Sequence, residues 1–354
     1  ELLGREPIGV RDDFFALGGH SLLAVRMLAQ VHAAFGERLS LATLFQGATI
    51  ESLALQVRRS LKEEDGVVAT GARRGHAPRS PLVLIQPDGS LPPFFCVHPV
   101  GGTVLCYRGL ARQMGKDRPF FGLEAPGVDG EAPPLRSVEA MAAHYLAAVR
   151  QRQPRGPYHL GGWSFGGLVA YEMFRRVTAD GEEGSLVLID SWPPGSLGAM
   201  EDEIDRSAVL RLLARALGEL AGLDFEVSRE SLARLGGREE QLAHVVDAAR
   251  RAGALPPDVG VAELRPLFDV VEANVEARRA YRPPPSAVSL RLVRAQTPLV
   301  PPPADPTLGW GAVAGGGVEL SFAPGDHYSM LADAHVDRVA ALIAPRLEAG
   351  LVRP

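Results

Sequence analysis

The stretch LGGWSFGG at residues 160–167 contains a serine, Ser164, in a G-x-S-x-G pattern that is typical of an exposed nucleophile. The pattern alone is weak evidence, because a chain with this much glycine is expected to contain it roughly 0.2 times by chance. Its context is stronger, since YHLGGW before the serine is typical of a strand and GLVAYEMFRR after it is typical of a helix. A sharp strand-to-helix turn needs small neighbours such as Gly162 and Gly166, which leave the hydroxyl exposed. The alternative is a glycine turn with an incidental serine.

A nucleophilic serine needs a base, and the base needs an acid that orients it. In a strand-turn-helix arrangement of this kind, the three groups follow one another along the chain as Ser, Asp and His. Asp190 ends the apolar run SLVLID, at the sheet edge where ligands bind in open α/β proteins. His327, in VELSFAPGDHYSML, is the one histidine among nine that falls between the last predicted strand and the final predicted helix. These positions predict a triad of Ser164, Asp190 and His327; the alternative role of Asp190 is turn formation.

A second glycine-rich segment, HPVGGT at 98–103, follows the predicted strand PFFCV and precedes a predicted helix. A loop in this position can supply a backbone N–H that faces the nucleophile, and the N–H of Phe165 can supply the other donor of an oxyanion hole. The alternative for the segment is a plain turn. Because His98 precedes the serine along the chain, we interpret it as a turn residue.

A second serine, Ser21, follows two glycines in DDFFALGGHSLLAVRM and begins an amphipathic helix. Its alternative role is a helix N-cap, but a capping box would have Glu or Gln at position 24, where this chain has Ala24. No acid and base follow in the required order within this helical region, so Ser21 has no triad of its own. A helix N-terminus is well suited to hold a phosphodiester.

Three regions can be separated along the 354 residues. Residues 1–62 have helical patterns, including TIESLALQVRRSL with Thr49 as its predicted N-cap. Residues 63–79 have no period and much Gly, Ala and charge, which predicts a linker. From residue 80 to 354, seven short apolar runs alternate with helical patterns, as in an open α/β sheet. Between two of these runs, at about 196–282, the patterns are helical only, and we predict that this block forms a lid.

Composition and charge limit the possible classes of function. The net charge of −5 and the lack of a basic stripe on any predicted helix argue against nucleic-acid binding. No apolar run approaches the roughly 18 residues of a membrane span, and there is no signal-peptide pattern. Cys96 and Cys106 lack metal-ligand spacing, so we expect reduced thiols, a cytoplasmic protein and no metal site. Because the chain begins at Glu1 without methionine, we expect it to be part of a longer protein.

The motifs QPDGSLPPFFCVHPVGG, GGWSFGG, LIDSW, DPTLGW and PGDHYSML resemble those of type I thioesterase domains, which terminate nonribosomal peptide synthetases and related hybrid polyketide lines. The resemblance covers nearly all of residues 80–354. It implies an α/β-hydrolase fold with a helical lid, and the release of an assembled chain from its carrier. By position it also implies the same triad and two backbone oxyanion donors, Val100 and Phe165. Gly101 is the alternative to Val100.

The segment DDFFALGGHSL resembles the motif of peptidyl carrier domains, which bear 4′-phosphopantetheine on the serine. The resemblance covers most of residues 1–62, although the family's first helix is largely missing here. It implies a small α-helical carrier bundle ahead of the hydrolase fold, with 4′-phosphopantetheine attached covalently to Ser21. A phosphopantetheinyl transferase and the upstream adenylation and condensation modules of the same synthetase would be its partners.

Together, the two resemblances imply a chain-terminating thioesterase at the C-terminal end of a nonribosomal peptide synthetase or hybrid polyketide synthase. The acyl or peptidyl chain would pass from the thioester on Ser21 to Ser164 and leave by hydrolysis or macrocyclisation. One alternative is an editing hydrolase that clears stalled chains, which fusion to a single carrier disfavours. The other is a carrier-docking module with a non-catalytic hydrolase fold, which the complete order of Ser, Asp and His disfavours.

We predict that a phosphopantetheinyl transferase with coenzyme A adds one arm to this chain, at Ser21 alone, because this serine stands at the GGHSL helix start. Intact-protein mass spectrometry should show a single addition in the parent protein and none in Ser21→Ala. Ser164→Ala removes the other glycine-flanked serine, so it is the matched control and should be modified like the parent. Unchanged modification of Ser21→Ala would refute the assignment.

Overall fold

Seven short, mostly apolar segments pair into one sheet in the computed structural model of the protein. Each corresponds to an apolar run that predicts a strand. The strands are β1 (Leu82–Gln86), β2 (Phe94–Val97), β3 (Phe120–Leu123), β4 (Tyr158–Trp163), β5 (Gly184–Ile189), β6 (Leu290–Ala295) and β7 (Val318–Ala323). The structure describes residues 2–19, 21–36, 39, 43–44, 47–58, 80–196, 206–221, 223, 225–255, 259–298 and 305–348.

The strands follow the order β1-β3-β2-β4-β5-β6-β7 across the sheet. β1 runs antiparallel to β3, and the other neighbouring pairs are parallel. At the carboxyl ends, Val97 of β2 pairs with Gly162 of β4, while Ile189 of β5 pairs with Trp163 of β4 and Val293 of β6. The chain therefore leaves β2, β4 and β5 at one edge of the sheet, where ligands bind in open α/β proteins. The predicted open α/β sheet is confirmed.

Burial along the strands explains their composition. β2, β3 and β4 are buried at every position, and β5 at every position but its first. A strand that is covered on both faces has no solvent-facing side, so these segments are apolar runs instead of alternating patterns. The edge strands β1 and β7 keep partly exposed positions, including Phe322, which is 48% exposed.

Several helices begin at a residue whose side chain caps their first turn. The Oγ1 of Thr49 accepts a hydrogen bond from the Ser52 N–H at 3.1 Å, and the Oγ of Ser137 accepts one from the Ala140 N–H at 3.2 Å. No helix in the described parts of the chain is both long enough and apolar enough to cross a bilayer. The helices are α1 (Ser21–Phe35), α2 (50–58), α3 (Arg108–Gln113), α4 (Val138–Arg152), α5 (Phe165–Ala179), α6 (Arg206–Ala221), α7 (Arg229–Ala233), α8 (Arg238–Arg251), α9 (Val261–Ala280) and α10 (Val336–Glu348).

The main apolar core lies where α4 and α5 pack against the strands. Tyr145 and Leu146 of α4, and Leu168 and Tyr171 of α5, are buried there with Leu160 of β4. Each large side chain of this kind contributes roughly 1.5–3 kcal/mol when it leaves water. This packing fixes the start of α5, and with it the position of Ser164, relative to the sheet.

The chain divides into two compact units, residues 1–79 with 210–265 and residues 80–209 with 266–354. In the first unit, a small apolar core joins α1, α2 and the segment before α1. Its buried members are Phe14, Ala24, Leu28, Leu44, Ala48 and Leu53.

The helical block predicted at about 196–282 corresponds to α6, α7, α8 and α9, which follow β5 and precede β6 in the chain. Its function as a lid remains a prediction, and so does the carrier bundle at 1–62. The predicted linker at 63–79 lies outside the described residues.

His159 on β4 generates a prediction about acid stability. Its ring is buried, with Nδ1 2.7 Å from the Ser185 Oγ; burial first, and then the nearby Arg118 charge, lower the pKa of His159 to about 4. In the unfolded chain His159 has the ordinary histidine pKa of about 6.5. Between pH 6.5 and pH 4 this side chain is therefore protonated in the unfolded chain but largely neutral in the folded protein. The contribution of neutral His159 to the free energy of unfolding is therefore complete above pH 6.5 and is lost as the pH falls toward 4.

Urea denaturation at pH 7.5 and pH 4.5 should show that His159→Asn loses about 2.5 kcal/mol less free energy of unfolding on acidification than the parent. The measured quantity is the difference between the two pH values, so a change in overall stability caused by the substitution cancels. Equal acid losses in both proteins would contradict a neutral His159.

Candidate active site

Ser164 occupies a strained turn between β4 and α5. Its backbone has φ 57° and ψ −123°, outside the common regions for residues other than glycine. The Ser164 N–H donates to the Ile189 carbonyl at 2.9 Å, and α5 begins at the next residue. The glycines predicted around the turn are required by space, because a Cβ on Gly162 would lie 2.2 Å from the Gly166 carbonyl carbon. Strain of this kind persists only where the surroundings impose it, and it is common at functional sites.

Asp190 follows β5 and is the second residue of this kind, with φ 40°. Its N–H donates to the Val293 carbonyl of β6 at 2.8 Å, and its Oδ1 accepts from the Ala295 N–H at 2.9 Å. The side chain is buried, with 4% of the residue exposed. The backbone of β6 therefore holds one carboxylate oxygen in place and leaves Oδ2 to face the remaining predicted site residue.

His327 connects Asp190 with Ser164. Its Nδ1 lies 2.8 Å from the Asp190 Oδ2, and its Nε2 lies 3.1 Å from the Ser164 Oγ. A carboxylate oxygen can only accept, so Nδ1 carries the proton and Nε2 offers its lone pair to the serine hydroxyl. The structure thus brings together the three predicted residues in the geometry of a nucleophile, a base and an orienting acid.

Aromatic rings enclose the imidazole of His327. The Trp163 and Trp192 ring centroids lie 5.2 Å and 4.7 Å from the imidazole centroid, and Tyr328 meets it edge-on at 5.0 Å. The Trp163 indole N–H also donates to the His327 carbonyl at 3.1 Å. These contacts limit rotation of the imidazole and exclude water around it. No local pattern in the sequence predicts a function for either tryptophan, although both stand beside predicted site residues in the motifs GGWS and LIDSW.

The HPVGG segment forms a turn that is closed by a hydrogen bond from the Gly102 N–H to the Pro99 carbonyl at 2.9 Å. The same carbonyl lies 2.7 Å from the His98 Nδ1, and the His98 Nε2 lies 2.7 Å from the Tyr145 Oη. A carbonyl only accepts, so Nδ1–H donates to Pro99 and the Tyr145 hydroxyl donates to Nε2. Burial lowers the pKa of His98 to about 4, which keeps the ring neutral and this tautomer in place. His98 lies directly before the turn and fixes the peptide that carries the Val100 N–H.

Three backbone N–H groups near the serine are candidates for an oxyanion hole. Those of Val100 and Gly101 lie in the central positions of the turn and donate to no acceptor within the described residues. The N–H of Phe165 belongs to the first position of α5, where no intrahelical acceptor exists. The positive end of the helix dipole adds to its ability to stabilise an anion.

Tyr107 joins the two strand ends that carry these groups. Its hydroxyl donates to the Val97 carbonyl at the end of β2 and accepts from the Trp163 N–H at the end of β4. Burial raises the pKa of Tyr107 well above its usual range, so the hydroxyl keeps its proton. The sequence does not predict this function of Tyr107, because nothing distinguishes the residue from the apolar positions of the segment TVLCYRGL.

Ser21 belongs to the other unit, and α1 begins at this residue. The segment before it includes Gly18, which has a φ of 93°, and Gly19, whose Cβ would lie 2.5 Å from the Phe14 ring and carbonyl. Both glycines of the GGHS motif are therefore needed for the entry into the helix. The first turn of α1 contains no acidic residue, so its free N–H groups are compatible with a phosphodiester.

Comparison with known proteins places this arrangement in a family. A family model described as the thioesterase domain matches residues 92–347, which is most of the chain. The chain belongs to the thioesterase family. A second model, the phosphopantetheine attachment site, matches residues 1–57 ahead of the thioesterase domain. The chain is also 37% identical over 253 residues to a dimodular nonribosomal peptide synthase of Bacillus subtilis (strain 168), covering 70% of this chain and 10% of that protein.

Two solved structures are similar to the chain. A four-domain nonribosomal peptide synthetase bound to AMP and glycine matches 100% of this chain and 25% of that one, at 30% identity and a TM-score of 0.71. The NocB thioesterase domain, in a covalent complex with a fluorophosphonate nocardicin G analog, matches 75% of this chain and 96% of that one, at 25% identity and a TM-score of 0.51. With the mostly parallel sheet, these likenesses confirm the predicted α/β-hydrolase fold of the thioesterase domain. The predicted relationship to the carrier and thioesterase domains of nonribosomal peptide synthetases is also confirmed.

The close packing of the serine turn generates a prediction for the thioesterase domain. Gly162→Ala should lower the free energy of unfolding by on the order of 3 kcal/mol, because its Cβ would overlap the backbone of Gly166 and neither chain segment can move. Gly109→Ala is the matched control, since its Cβ meets no atom closer than 3.6 Å and the residue lies within α3. The control should be unchanged or more stable by up to about 1 kcal/mol. Urea denaturation measures both, and equal stabilities would contradict the described packing.

Proposed function

We propose that the protein is a chain-releasing serine thioesterase, in which Ser164 takes the acyl or peptidyl chain from a thioester and then releases it by hydrolysis or macrocyclisation. The observation that supports this function is the hydrogen-bonded series from Ser164 through His327 to Asp190, with distances of 3.1 Å and 2.8 Å. The family match to thioesterase domains agrees with it.

In the first step, the Ser164 Oγ attacks the thioester carbonyl carbon while its proton moves to the His327 Nε2. The carbonyl oxygen becomes an oxyanion, which accepts hydrogen bonds from the Phe165 N–H and from the N–H of Val100 or Gly101. Asp190 stabilises the imidazolium that forms and holds its orientation. The carbon–sulfur bond then breaks, and the imidazolium gives its proton to the leaving thiolate. An ester on Ser164 and a neutral His327 remain.

In the second step, His327 removes a proton from the incoming nucleophile, which attacks the ester carbonyl. The Ser164 Oγ then leaves and regains its proton from the imidazolium. When the nucleophile is water, the product is a free acid; when it is a hydroxyl or amine of the acyl chain itself, the product is a ring. The same three side chains serve both outcomes.

The carrier region fits covalent attachment of 4′-phosphopantetheine at Ser21, because α1 begins there behind two conformationally required glycines and carries no acidic residue in its first turn. The bound group supplies a thiol on which the acyl chain is carried as a thioester. We propose a phosphopantetheinyl transferase and upstream adenylation and condensation modules as partners, since the relatives are multidomain synthetases.

Two other functions are less well supported. An editing hydrolase would serve many carriers, whereas this chain contains an attachment site of its own at residues 1–57. A non-catalytic docking module would not need Ser164 within hydrogen-bonding distance of a histidine that a buried aspartate orients. Labelling of Ser164 by a fluorophosphonate probe separates the docking module from the enzyme.

We expect Asp190→Asn to lower kcat for a small soluble thioester by about 10⁴-fold, because the amide favours the wrong tautomer of His327. Ser164→Ala should be inactive on the same substrate, and it should hold an acyl chain that has been loaded at position 21. Ser21→Ala is the paired control: it cannot be loaded, but it should turn over the soluble substrate like the parent. If Ser164→Ala releases its loaded chain as fast as the parent, the nucleophile lies elsewhere.

A further inference from the structure

Asn274 on α9 is a buried polar side chain, 1% exposed, that the steps above do not use. Its Nδ2–H donates to the Val100 carbonyl oxygen at 2.8 Å, across 174 residues of sequence. One helical turn earlier, Val270 packs against the same turn, since a Cβ on Gly102 would lie 2.5 Å from the Val270 Cγ1. One face of α9 therefore contacts the turn that carries two of the candidate oxyanion donors.

The contact matters because a four-residue turn with glycine at its third position can in general adopt two forms, type I and type II. Gly101 is the third residue of the turn from Pro99 to Gly102. Its φ lies outside the left-handed region. The turn in the structure is therefore not of type II, since that form needs a positive φ at the third residue. Glycine at that position permits either form. The two forms differ by a rotation of about 180° of the peptide between Val100 and Gly101. In a trans peptide the C=O and N–H point in opposite directions, so this rotation exchanges the Gly101 N–H with the Val100 carbonyl.

We propose that Asn274 is a positioning residue of the release reaction, which holds the Val100–Gly101 peptide so that the Gly101 N–H, and not the Val100 carbonyl, faces the developing oxyanion. This inference rests on the proposed function of Ser164. With the Val100 carbonyl bonded to α9, the Gly101 N–H points to the opposite side of the same peptide. A rotated peptide would present a carbonyl oxygen to an anion and remove one donor.

The neighbouring peptide is fixed by a different group. His98 Nδ1–H donates to the Pro99 carbonyl, and this bond orients the peptide that contains the Val100 N–H. Loss of the Asn274 amide therefore frees the second peptide of the turn while the first stays held.

The test uses the full chain and a soluble thioester substrate. Asn274→Ala should lower kcat by about 10-fold or more, with KM within about two-fold of the parent, because a lost oxyanion donor acts in the transition state. Glu276→Gln is the matched control, because Glu276 lies on the same helix and the substitution breaks an exposed ion pair with Arg136. This variant should keep kcat within about two-fold of the parent. If Asn274→Ala shows no cooperative unfolding, Asn274→Asp keeps the side-chain shape, cannot donate when ionised, and carries the same expectation. A kcat within two-fold of the parent in a folded Asn274 variant overturns the inference.

A second comparison separates positioning from general support of the fold. Alanine at position 101 disfavours the positive φ of the rotated form, so Asn274→Ala should cost several-fold less in kcat in a Gly101→Ala background than in the parent background. An equal loss in both backgrounds would mean that Asn274 only supports packing, which also overturns the inference. Failure of the proposed function looks different: the parent itself would then neither turn over the thioester nor be labelled at Ser164 by a fluorophosphonate.

Discussion

The parallel pairing of β2, β4, β5 and β6 is the constraint on which the candidate site depends. Parallel strands end at the same edge of a sheet, so the turn after β2, the serine after β4 and the aspartate after β5 emerge side by side. The register places the serine and the aspartate side by side. Trp163, the last residue of β4, pairs with Ile189, the last residue of β5, and Ser164 and Asp190 follow these two residues directly. His327, which follows the last strand of the sheet, then needs only a short loop to reach both.

Ser164 and Asp190 have strained backbone conformations that the sheet maintains. Ser164 and Asp190 both have positive φ, and each donates its N–H to the neighbouring strand, Ser164 to Ile189 and Asp190 to Val293. Burial of α5 against β4 keeps the serine turn from relaxing, because the backbone on either side is packed or hydrogen-bonded. The stability of the core thus holds the serine and the aspartate in conformations that neither residue would adopt alone.

Neutral polar groups surround the residues that would carry charge in the proposed reaction. The hydroxyls of Tyr107 and Tyr145 keep their protons, since burial raises the pKa of each well above its usual range, and burial keeps His98 uncharged. These groups, with Asn274, fix carbonyl oxygens and strand ends without adding a charge that would compete with the imidazolium of His327 or the oxyanion. A site organised in this way needs little rearrangement when charge develops.

The sequence by itself determined the seven strands, the serine turn and the order of Ser164, Asp190 and His327. A local pattern predicts each of these features: an apolar run, a glycine at fixed spacing, or a polar residue directly after a strand. A short motif in the sequence also predicts carrier attachment at Ser21, and the family match to residues 1–57 supports an attachment site in this region. The tertiary structure alone decided that Ala295 orients Asp190, that Tyr107 ties β2 to β4, and that Asn274 reaches Val100. These contacts join residues far apart in the chain, and which side chain meets which carbonyl depends on how helices and strands pack, a property that no local pattern encodes.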